Sequence, residues 1–319
     1  MPCAGFGAIK IILVSNRPAR MKIFGIGFLM LLLSLALVRA QNLAGDMALS
    51  LVLIDGEKWE MVASGYQFTD AACADAEGNF YFTDVAKGTN IFKVGPDGKV
   101  VSFIGNAPKV SGLRFGPDGR LYACQGGLKR LIAFELPSGK QTVVAENVEP
   151  NDLVVTRKGS IYFTETTKKQ VTLIDKNGAK RAVDTGITAP NGIALSPDQG
   201  TLVVSDSRGT NLWTFRIDQD GSLSAKEPYM AVRAPLEKPE IASSDGMTTD
   251  SAGRYYVATA VGLQMFDSTG RLGGVILKPQ NKFLSNVAFA GPNHQYLYVT
   301  CADKIYRRKT KAHGVVFYK

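Results

Sequence analysis

The chain has 319 residues, of which 45% are hydrophobic and 20% charged, and it contains 33 Gly and 14 Pro. This composition is ordinary for a soluble protein and is compatible with a turn-rich all-β chain. The formal charge of +9 does not indicate nucleic-acid binding, because no basic stripe is interleaved with aromatic residues. We therefore expect no nucleic-acid partner.

The N-terminal segment has the pattern of a targeting signal. A basic start at Lys22 is followed by an apolar run over 23–38, and small residues stand three and one positions before the bond after Ala40. This pattern predicts a secretory signal peptide over 1–40. The run is shorter than the ~20 residues of a membrane-spanning helix. Met21 alone would begin a well-formed signal, so residues 1–20 are interpreted as a wrongly assigned start.

Cleavage of this signal changes the charge and the expected location of the protein. The formal charge falls from +9 to +4, because five Lys and Arg residues and no acid lie in 1–40. We expect export to the periplasm or the exterior, with no stable membrane insertion after cleavage. Residues 41–55 are predicted to be a flexible lead, and 56–319 the folded domain.

One sequence phrase recurs six times in the predicted domain. It consists of an acid or Pro-Asp, a Gly, and an apolar–aromatic–apolar strand, as in Asp75 to Asp84. The centres of the six strands are 41, 40, 41, 53 and 42 residues apart. A near-constant period predicts a repeat architecture with one insertion, at about 223–243. The strand centres are Tyr81, Tyr122, Tyr162, Val203, Tyr256 and Tyr298.

Each period contains four short strands joined by turns such as 95–98 and 176–178. Asp-Gly and Asn-Gly turns are typical of antiparallel hairpins, and four such strands per ~40–45 residues are typical of a propeller blade. The sequence therefore predicts an all-β fold, a six-bladed β-propeller. An additional strand at 58–63 is predicted to complete the last blade, formed by 286–319, and so to close the ring of blades.

Three cysteines follow the predicted cleavage point. They are separated widely along the chain, and each lies within an apolar strand pattern. We expect buried thiols rather than a disulfide, although export would permit one. They are Cys73, Cys124 and Cys301.

A polar residue precedes each strand centre by eleven or twelve positions, where the innermost strand of each blade is predicted to begin. We call these six positions the mouth ring: Asp70, Ser111, Asn151, Asn191, Asp245 and Asn286. All six offer an oxygen acceptor and none is His or Cys, a set that suits calcium or magnesium. Such residues also end turns, but two acids in a narrow tunnel repel each other without a cation. We predict a divalent-metal site here, with the insertion as a surface loop close to it.

Segments 150–152, 190–193 and 244–247 resemble those of the gluconolactonase, or senescence marker protein (regucalcin), family. The resemblance covers essentially all of 56–310. It implies a propeller that binds one divalent cation at the mouth of its central tunnel. We expect calcium, with magnesium, manganese and zinc as alternatives.

The resemblance also implies a role for individual ring residues. Asn191 and Asp245 match two family metal ligands, and Asp70 stands where the family usually carries Glu. Asp245 would also act as the general base, and Asn151 would hydrogen-bond the developing oxyanion. Ser111 stands where bacterial members often carry Asn. The expected substrate-contacting residues are Ser111, Asn151 and Asn286.

The function implied is metal-dependent hydrolysis of a lactone-type ester, such as the sugar lactone gluconolactone. A phosphotriesterase or esterase using the same ring remains an alternative, as does a non-catalytic binding propeller stabilised by calcium. Nucleophilic catalysis is disfavoured, because only His294 and His313 are present and no Gly-x-Ser-x-Gly motif occurs. We expect a small-molecule partner and a monomer or weak dimer.

Overall fold

Short apolar strands separated by tight glycine turns build the whole structure from residue 49 onward. The computed structural model describes residues 49–319, which form six four-stranded antiparallel sheets. The predicted signal peptide, 1–40, and residues 41–48 of the predicted lead lie outside the described residues. Within the described part, no helix is long and apolar enough to cross a membrane.

The strands follow the repeat in chain order, with β1 (Glu60–Ser64) standing before the first blade. Blade one contains β2 (Thr69–Ala74), β3 (Phe80–Asp84), β4 (Ile91–Val94) and β5 (Val100–Ile104). Blade two contains β6 (Gly112–Phe115), β7 (Leu121–Gln125), β8 (Arg130–Glu135) and β9 (Lys140–Glu146). Blade three contains β10 (Leu153–Val155), β11 (Ile161–Glu165), β12 (Gln170–Ile174) and β13 (Lys180–Thr185).

The remaining blades repeat the arrangement. Blade four contains β14 (Pro190–Leu195), β15 (Thr201–Asp206), β16 (Asn211–Ile217) and β17 (Leu223–Ala231). Blade five contains β18 (Met247–Thr249), β19 (Tyr255–Thr259), β20 (Gly262–Phe266) and β21 (Leu272–Ile276). Blade six contains β22 (Leu284–Ala290), β23 (Tyr296–Cys301) and β24 (Lys304–Lys309). Short 3-10 turns occur at Leu49–Leu51, Gly126–Leu128 and Pro292–His294.

The core lies between neighbouring blades, which explains the apolar repeat phrase. Each phrase forms the second strand of its blade, and β3, β7, β11 and β19 are buried along their whole length. A strand covered on both faces reads as a continuous apolar run. The first strand of each blade contacts the first strands on either side, so these six strands line the central tunnel. The predicted six-bladed propeller is confirmed.

The N-terminal strand closes the ring of blades. β1 pairs antiparallel with β24, with Glu60 opposite Arg307 and Ser64 opposite Lys304. The Arg307 guanidinium donates to both carboxylate oxygens of Glu60, at 2.8 and 3.1 Å. The last blade therefore takes its fourth strand from the beginning of the domain, as predicted, and the pairing removes two open sheet edges.

Residues 49–55, predicted to be part of a flexible lead, instead pack on blade six. Val52 is completely buried in the cluster of blades five and six, and Leu53 forms a β-bridge with Thr310. Trp59 then donates from Nε1 to the carbonyl of Leu277, at 2.8 Å. The reason is apolar burial: Leu49, Val52 and Leu53 cover the side of the blade that the closing strand completes.

The insertion differs from its prediction as a loop over 223–243. Leu223–Ala231 is β17, the outermost strand of blade four, and only 232–246 runs outside strands before β18. β17 is bulged against β16, with Pro228 opposite Trp213. A proline is tolerated here because an outermost strand has one unpaired edge. The inserted residues therefore lengthen a blade as well as a mouth loop.

The C-terminal segment crosses the far end of the tunnel. Gly314 forms a β-bridge with Asp250 in blade five, and the carbonyl of Phe317 accepts from Gln199 in blade four at 2.7 Å. The Tyr318 ring lies 5.6 Å from that of Phe115 in blade two. A small cavity of about 60 Å³ lies against this segment and the far halves of the innermost strands.

The three cysteines of the described chain are buried free thiols, as predicted. Cys73 lies on β2, Cys124 on β7 and Cys301 on β23. Each fills a small apolar position between blades, and the fold depends on no disulfide within residues 49–319.

Candidate metal and catalytic site

The mouth ring lies where the six innermost strands begin. Asp70 and Asn191 are the second residues of β2 and β14, whereas Ser111 immediately precedes β6. Asn151 and Asp245 each stand two residues before β10 and β18. Because all six strands run in the same direction along the tunnel, their first residues meet at one end. We call this end the mouth.

Five ring members share one register, and Asn286 lies one residue deeper. Asn286 pairs with Thr300 across its blade, the position that Asp152 holds opposite Thr164 in blade three. The residue of blade six that matches Asp70 is Ser285, which lies in the bulge between β22 and β23. Counting along the sequence placed Asn286 in the ring because the count does not show which side of the bulge a residue occupies.

Asn286 nevertheless contacts the ring directly. Its Nδ2 donates to Oδ1 of Asp70 at 3.1 Å, and its own Oδ1 accepts from the backbone of Val287 at 2.9 Å. Its amide packs over Gly246, where any Cβ would overlap it. Both ends of the amide are thus held by protein, and Asn286 orients the Asp70 carboxylate.

Asp70, which is buried, and Asp245, which is half-buried, place two carboxyl groups together at the mouth. Burial raises the pKa of Asp70 to about 7, although the backbone of Ala71 and the Asn286 amide favour its charged form. Burial also raises the pKa of Asp245 well above its ordinary value, and the charge of Asp70 raises it further. Buried carboxylates without a cation are unfavourable, so this pair is poised to be stabilised by one.

Asn191 adds an oxygen that has no protein partner. Its Oδ1 is buried from solvent and accepts no hydrogen bond. Buried acceptors are rarely left unpaired unless an ion, water or ligand satisfies them. No three His, Cys, Asp or Glu side chains of residues 49–319 converge as a metal-binding group. Asp70, Asp245 and Asn191 offer two carboxylates and an amide oxygen, which are oxygen donors of the kind that suit a hard cation such as calcium.

Ser111 and Asn151 occupy the mouth on the side of blades two and three. The Ser111 hydroxyl donates to the backbone carbonyl of Asn151 at 2.7 Å, which ties the two blades together. The Asn151 backbone is fixed in turn by the carbonyl of Thr164 at 2.8 Å. Both side chains are half-buried at the mouth.

A third carboxylate, Asp152, was not among the predicted site residues. It is 2% exposed, and its charge raises the pKa of both Asp70 and Asp245. The Arg114 guanidinium lies 3.9 Å from Asp152 Oδ2 and opposes the rise that burial causes in the pKa of Asp152. The sequence did contain a signal for Asp152. The matching residues of blades two and five are Gly112 and Gly246, so Asp152 is a charged residue at a position where these repeats have glycine.

Arg114 is expected to stabilise the fold through Asp152. Arg114→Met should lower the free energy of unfolding of the cation-free protein by about 3 kcal/mol, because it leaves a buried carboxylate unpaired. Urea denaturation measures this loss. The double variant Arg114→Met/Asp152→Asn should recover at least half of it. A double variant as unstable as the single one would show that the carboxylate is not the cause.

The two histidines lie away from the mouth. His294 Nε2 contacts the carbonyl of Asp75 at 2.8 Å, and His313 Nδ1 contacts the carbonyl of Asn293 at 3.1 Å. All four residues belong to turns or segments at the far end of the tunnel. Neither histidine can assist a nucleophile at the ring, so the chemistry of the mouth belongs to carboxylates, amides and a hydroxyl.

A family model described as the SMP-30/gluconolactonase/LRE-like region matches residues 68–303. The chain belongs to this family. The match spans all six innermost strands and every residue of the mouth ring, and it ends before β24. The family predicted from the sequence is confirmed.

Two named relatives are similar in sequence to this chain. A gluconolactonase of Zymomonas mobilis is 26% identical over 292 residues, covering 80% of this chain and 82% of that protein. The pentonolactonase XacC of Haloferax volcanii is 27% identical over 203 residues, covering 60% of this chain and 67% of that protein.

Solved structures of the family share the fold. A gluconolactonase of Xanthomonas campestris superimposes with a TM-score of 0.72 at 22% identity, over 82% of this chain and 92% of that one. A calcium-binding regucalcin of Agrobacterium tumefaciens gives 0.69 at 17% identity, over 82% and 98%. At these identities the likeness concerns the propeller itself.

Proposed function

We propose that this member of the SMP-30/gluconolactonase family is a lactonase that works at the mouth ring. One observation carries the proposal: the buried Asp70 and the half-buried Asp245 place two carboxylates at the mouth with Asn191, whose amide oxygen lacks a protein partner. The names of the curated relatives, a gluconolactonase and a pentonolactonase, support the reaction class.

The proposed ligands of a divalent cation are Asp70, Asn191 and Asp245. Bound there, the cation would polarise the lactone carbonyl and stabilise negative charge on its oxygen. Oxygen-only donors favour calcium, and a structural relative is named as a calcium-binding protein. Asn286 holds Asp70 in place from the neighbouring blade.

Residues of the chain itself would transfer the proton of the attacking water. Water adds to the carbonyl carbon, the bond from that carbon to the ring oxygen breaks, and the ring oxygen takes up the proton removed from the water, which gives a hydroxy acid. Asp245 is half-buried at the mouth and would accept the proton of the attacking water. Asn151 would donate from its amide to the oxyanion as it forms.

The test is a substrate panel with and without chelator. Purified chain beginning at Gln41 is assayed with glucono-δ-lactone, an alkyl δ-lactone, an aryl ester and a phosphotriester, before and after EDTA and after added calcium. We expect hydrolysis of a lactone that EDTA abolishes and calcium restores. Hydrolysis of the phosphotriester or aryl ester alone, or calcium-dependent stability without any turnover, would overturn the proposal.

We also propose that the enzyme acts outside the cytoplasm. The support is the signal-like sequence over 1–40. Expression of the full chain followed by fractionation and N-terminal sequencing should give a mature protein that begins at Gln41. An unprocessed chain retained in the cytoplasm would contradict this.

A further inference from the structure

The residues directly above the mouth ring form a second ring, which is aromatic on one side and largely polar on the other. We call these residues the rim. Each stands two positions before the mouth-ring residue of its blade, and in blade six two positions before Ser285. Because each lies just before an innermost strand begins, these residues surround the opening through which a substrate reaches Asp70 and Asp245. The rim residues are Phe68, Lys109, Glu149, Ala189, Ser243 and Phe283.

Buried carboxylates fix the rim in place. The backbone N–H of Phe68 donates to Asp84 at 3.0 Å, and that of Ala189 donates to Asp206 at 3.0 Å. Each acid ends the second strand of its blade. These acids thus serve the backbone, and the side chains of the rim are presented by a rigid support.

Two aromatic rings occupy one side of the rim. Phe68 of blade one and Phe283 of blade six lie 5.9 Å apart with an interplanar angle of 31°. They bridge the same two blades as the hydrogen bond between Asn286 and Asp70. The pair therefore stands beside the carboxylate that we propose as a ligand.

Core packing does not account for this pair. Phe283 is 40% exposed, and neither ring belongs to any of the six hydrophobic clusters found in residues 49–319. Exposed aromatic surface gains free energy when an apolar group covers it. An apolar ligand group at the mouth would provide that cover.

The two charged residues of the rim each contact another group of the protein. Lys109 donates to the carbonyl of Ala86 at 3.3 Å, and Glu149 pairs with Lys129 at 3.5 Å. Ala189 has no polar side chain. The apolar part of the rim is therefore the side of blades one and six, next to Asp70, whereas Lys109, Glu149 and Ser243 make the opposite side polar.

We propose that Phe68 and Phe283 form an apolar wall of the substrate site and select lactones that carry an alkyl or aryl substituent over polyhydroxylated lactones. This inference rests on the proposed lactonase function. The substituent covers the two rings while the lactone carbonyl faces Asp70 and Asp245.

The test compares δ-decalactone with glucono-δ-lactone. Phe283→Ser should lower kcat/KM for δ-decalactone about tenfold, the scale of a lost apolar contact in a specificity site, and change that for glucono-δ-lactone less than twofold. Phe283→Leu should retain most of the preference, because it keeps an apolar side chain. Phe68→Leu replaces the second ring with another apolar side chain at the same half-buried position, so it too should retain most of the preference.

The matched control is Val101→Ser, which alters an apolar residue that is 52% exposed, on the outermost strand β5. It should leave both rates unchanged. Equal losses for both lactones in Phe283→Ser, or a higher kcat/KM for glucono-δ-lactone in the unaltered protein, would overturn the inference.

A binding measurement separates this inference from the proposed function. The δ-lactam analogue of δ-decalactone carries the same pentyl substituent but is not hydrolysed. Calorimetry measures its binding without any turnover. If no lactone is hydrolysed, the lactonase proposal fails; weaker lactam binding by Phe283→Ser than by Val101→Ser still supports the wall. Equal lactam binding by all variants overturns the wall whether or not the enzyme is active.

Discussion

Asp245→Asn is expected to lower lactone hydrolysis about a thousandfold, the scale of a lost general base. The substitution keeps the shape of the side chain and removes the group that would accept the proton of water. Initial rates at saturating calcium measure the effect. Unchanged activity would remove Asp245 from the reaction, even if the protein remains a lactonase.

The same substitution should not weaken the cation-free fold. The pKa of Asp245 is higher in the folded state than in the unfolded chain, so above about pH 4, where the unfolded carboxyl has lost its proton, the group costs the folded state free energy. Asn carries no charge and removes this cost. Thermal melts in EDTA at neutral pH should therefore show equal or higher stability.

Asp75→Asn is the matched control with the opposite pattern. Asp75 is a buried carboxylate at the far end that accepts from the backbone of Asn79 at 2.8 Å and from the Tyr81 hydroxyl at 2.7 Å. Its loss should cost about 1–3 kcal/mol of stability and leave kcat/KM nearly unchanged below the melting temperature. If both variants lost activity equally, the effect of Asp245→Asn would be structural.

The blades could be predicted from the sequence because one period fixes them. Every predicted strand centre lies in the second strand of its blade, from Tyr81 in β3 to Tyr298 in β23. The hairpin turns keep the spacing constant, and burial on both faces keeps the strand apolar. The closing strand was predictable because an unpaired strand at one terminus needs an incomplete blade at the other.

The details of the site depend on contacts that no period encodes. The bulge beside Ser285 shifts Asn286 by one residue, and a bulge leaves no fixed mark in a sequence. The importance of Asp152 depends on its distance to Arg114, and the aromatic wall joins residues 68 and 283 from opposite ends of the domain. Each is a tertiary contact between blades.

Asn191→Leu is expected to abolish the thermal stabilisation by calcium without destabilising the cation-free protein. Leu is close to Asn in shape and removes a buried acceptor that has no partner, but it also removes the side-chain hydrogen bond to Asp245. The two effects oppose each other, so the melt in EDTA should change little. In the unaltered protein, calcium at a hundred times its Kd should add about 2.7 kcal/mol. Differential scanning calorimetry with EDTA and with calcium measures both quantities.

Thr249→Val is the matched control for Asn191→Leu. The Thr249 hydroxyl is also buried without a partner, but it lies at the last residue of β18, away from the mouth. Its removal should leave the calcium response intact. If Asn191→Leu retained that response, the unpaired amide oxygen would be a packing defect and not a ligand; if Thr249→Val lost it, calcium would stabilise the propeller from a site other than the mouth ring.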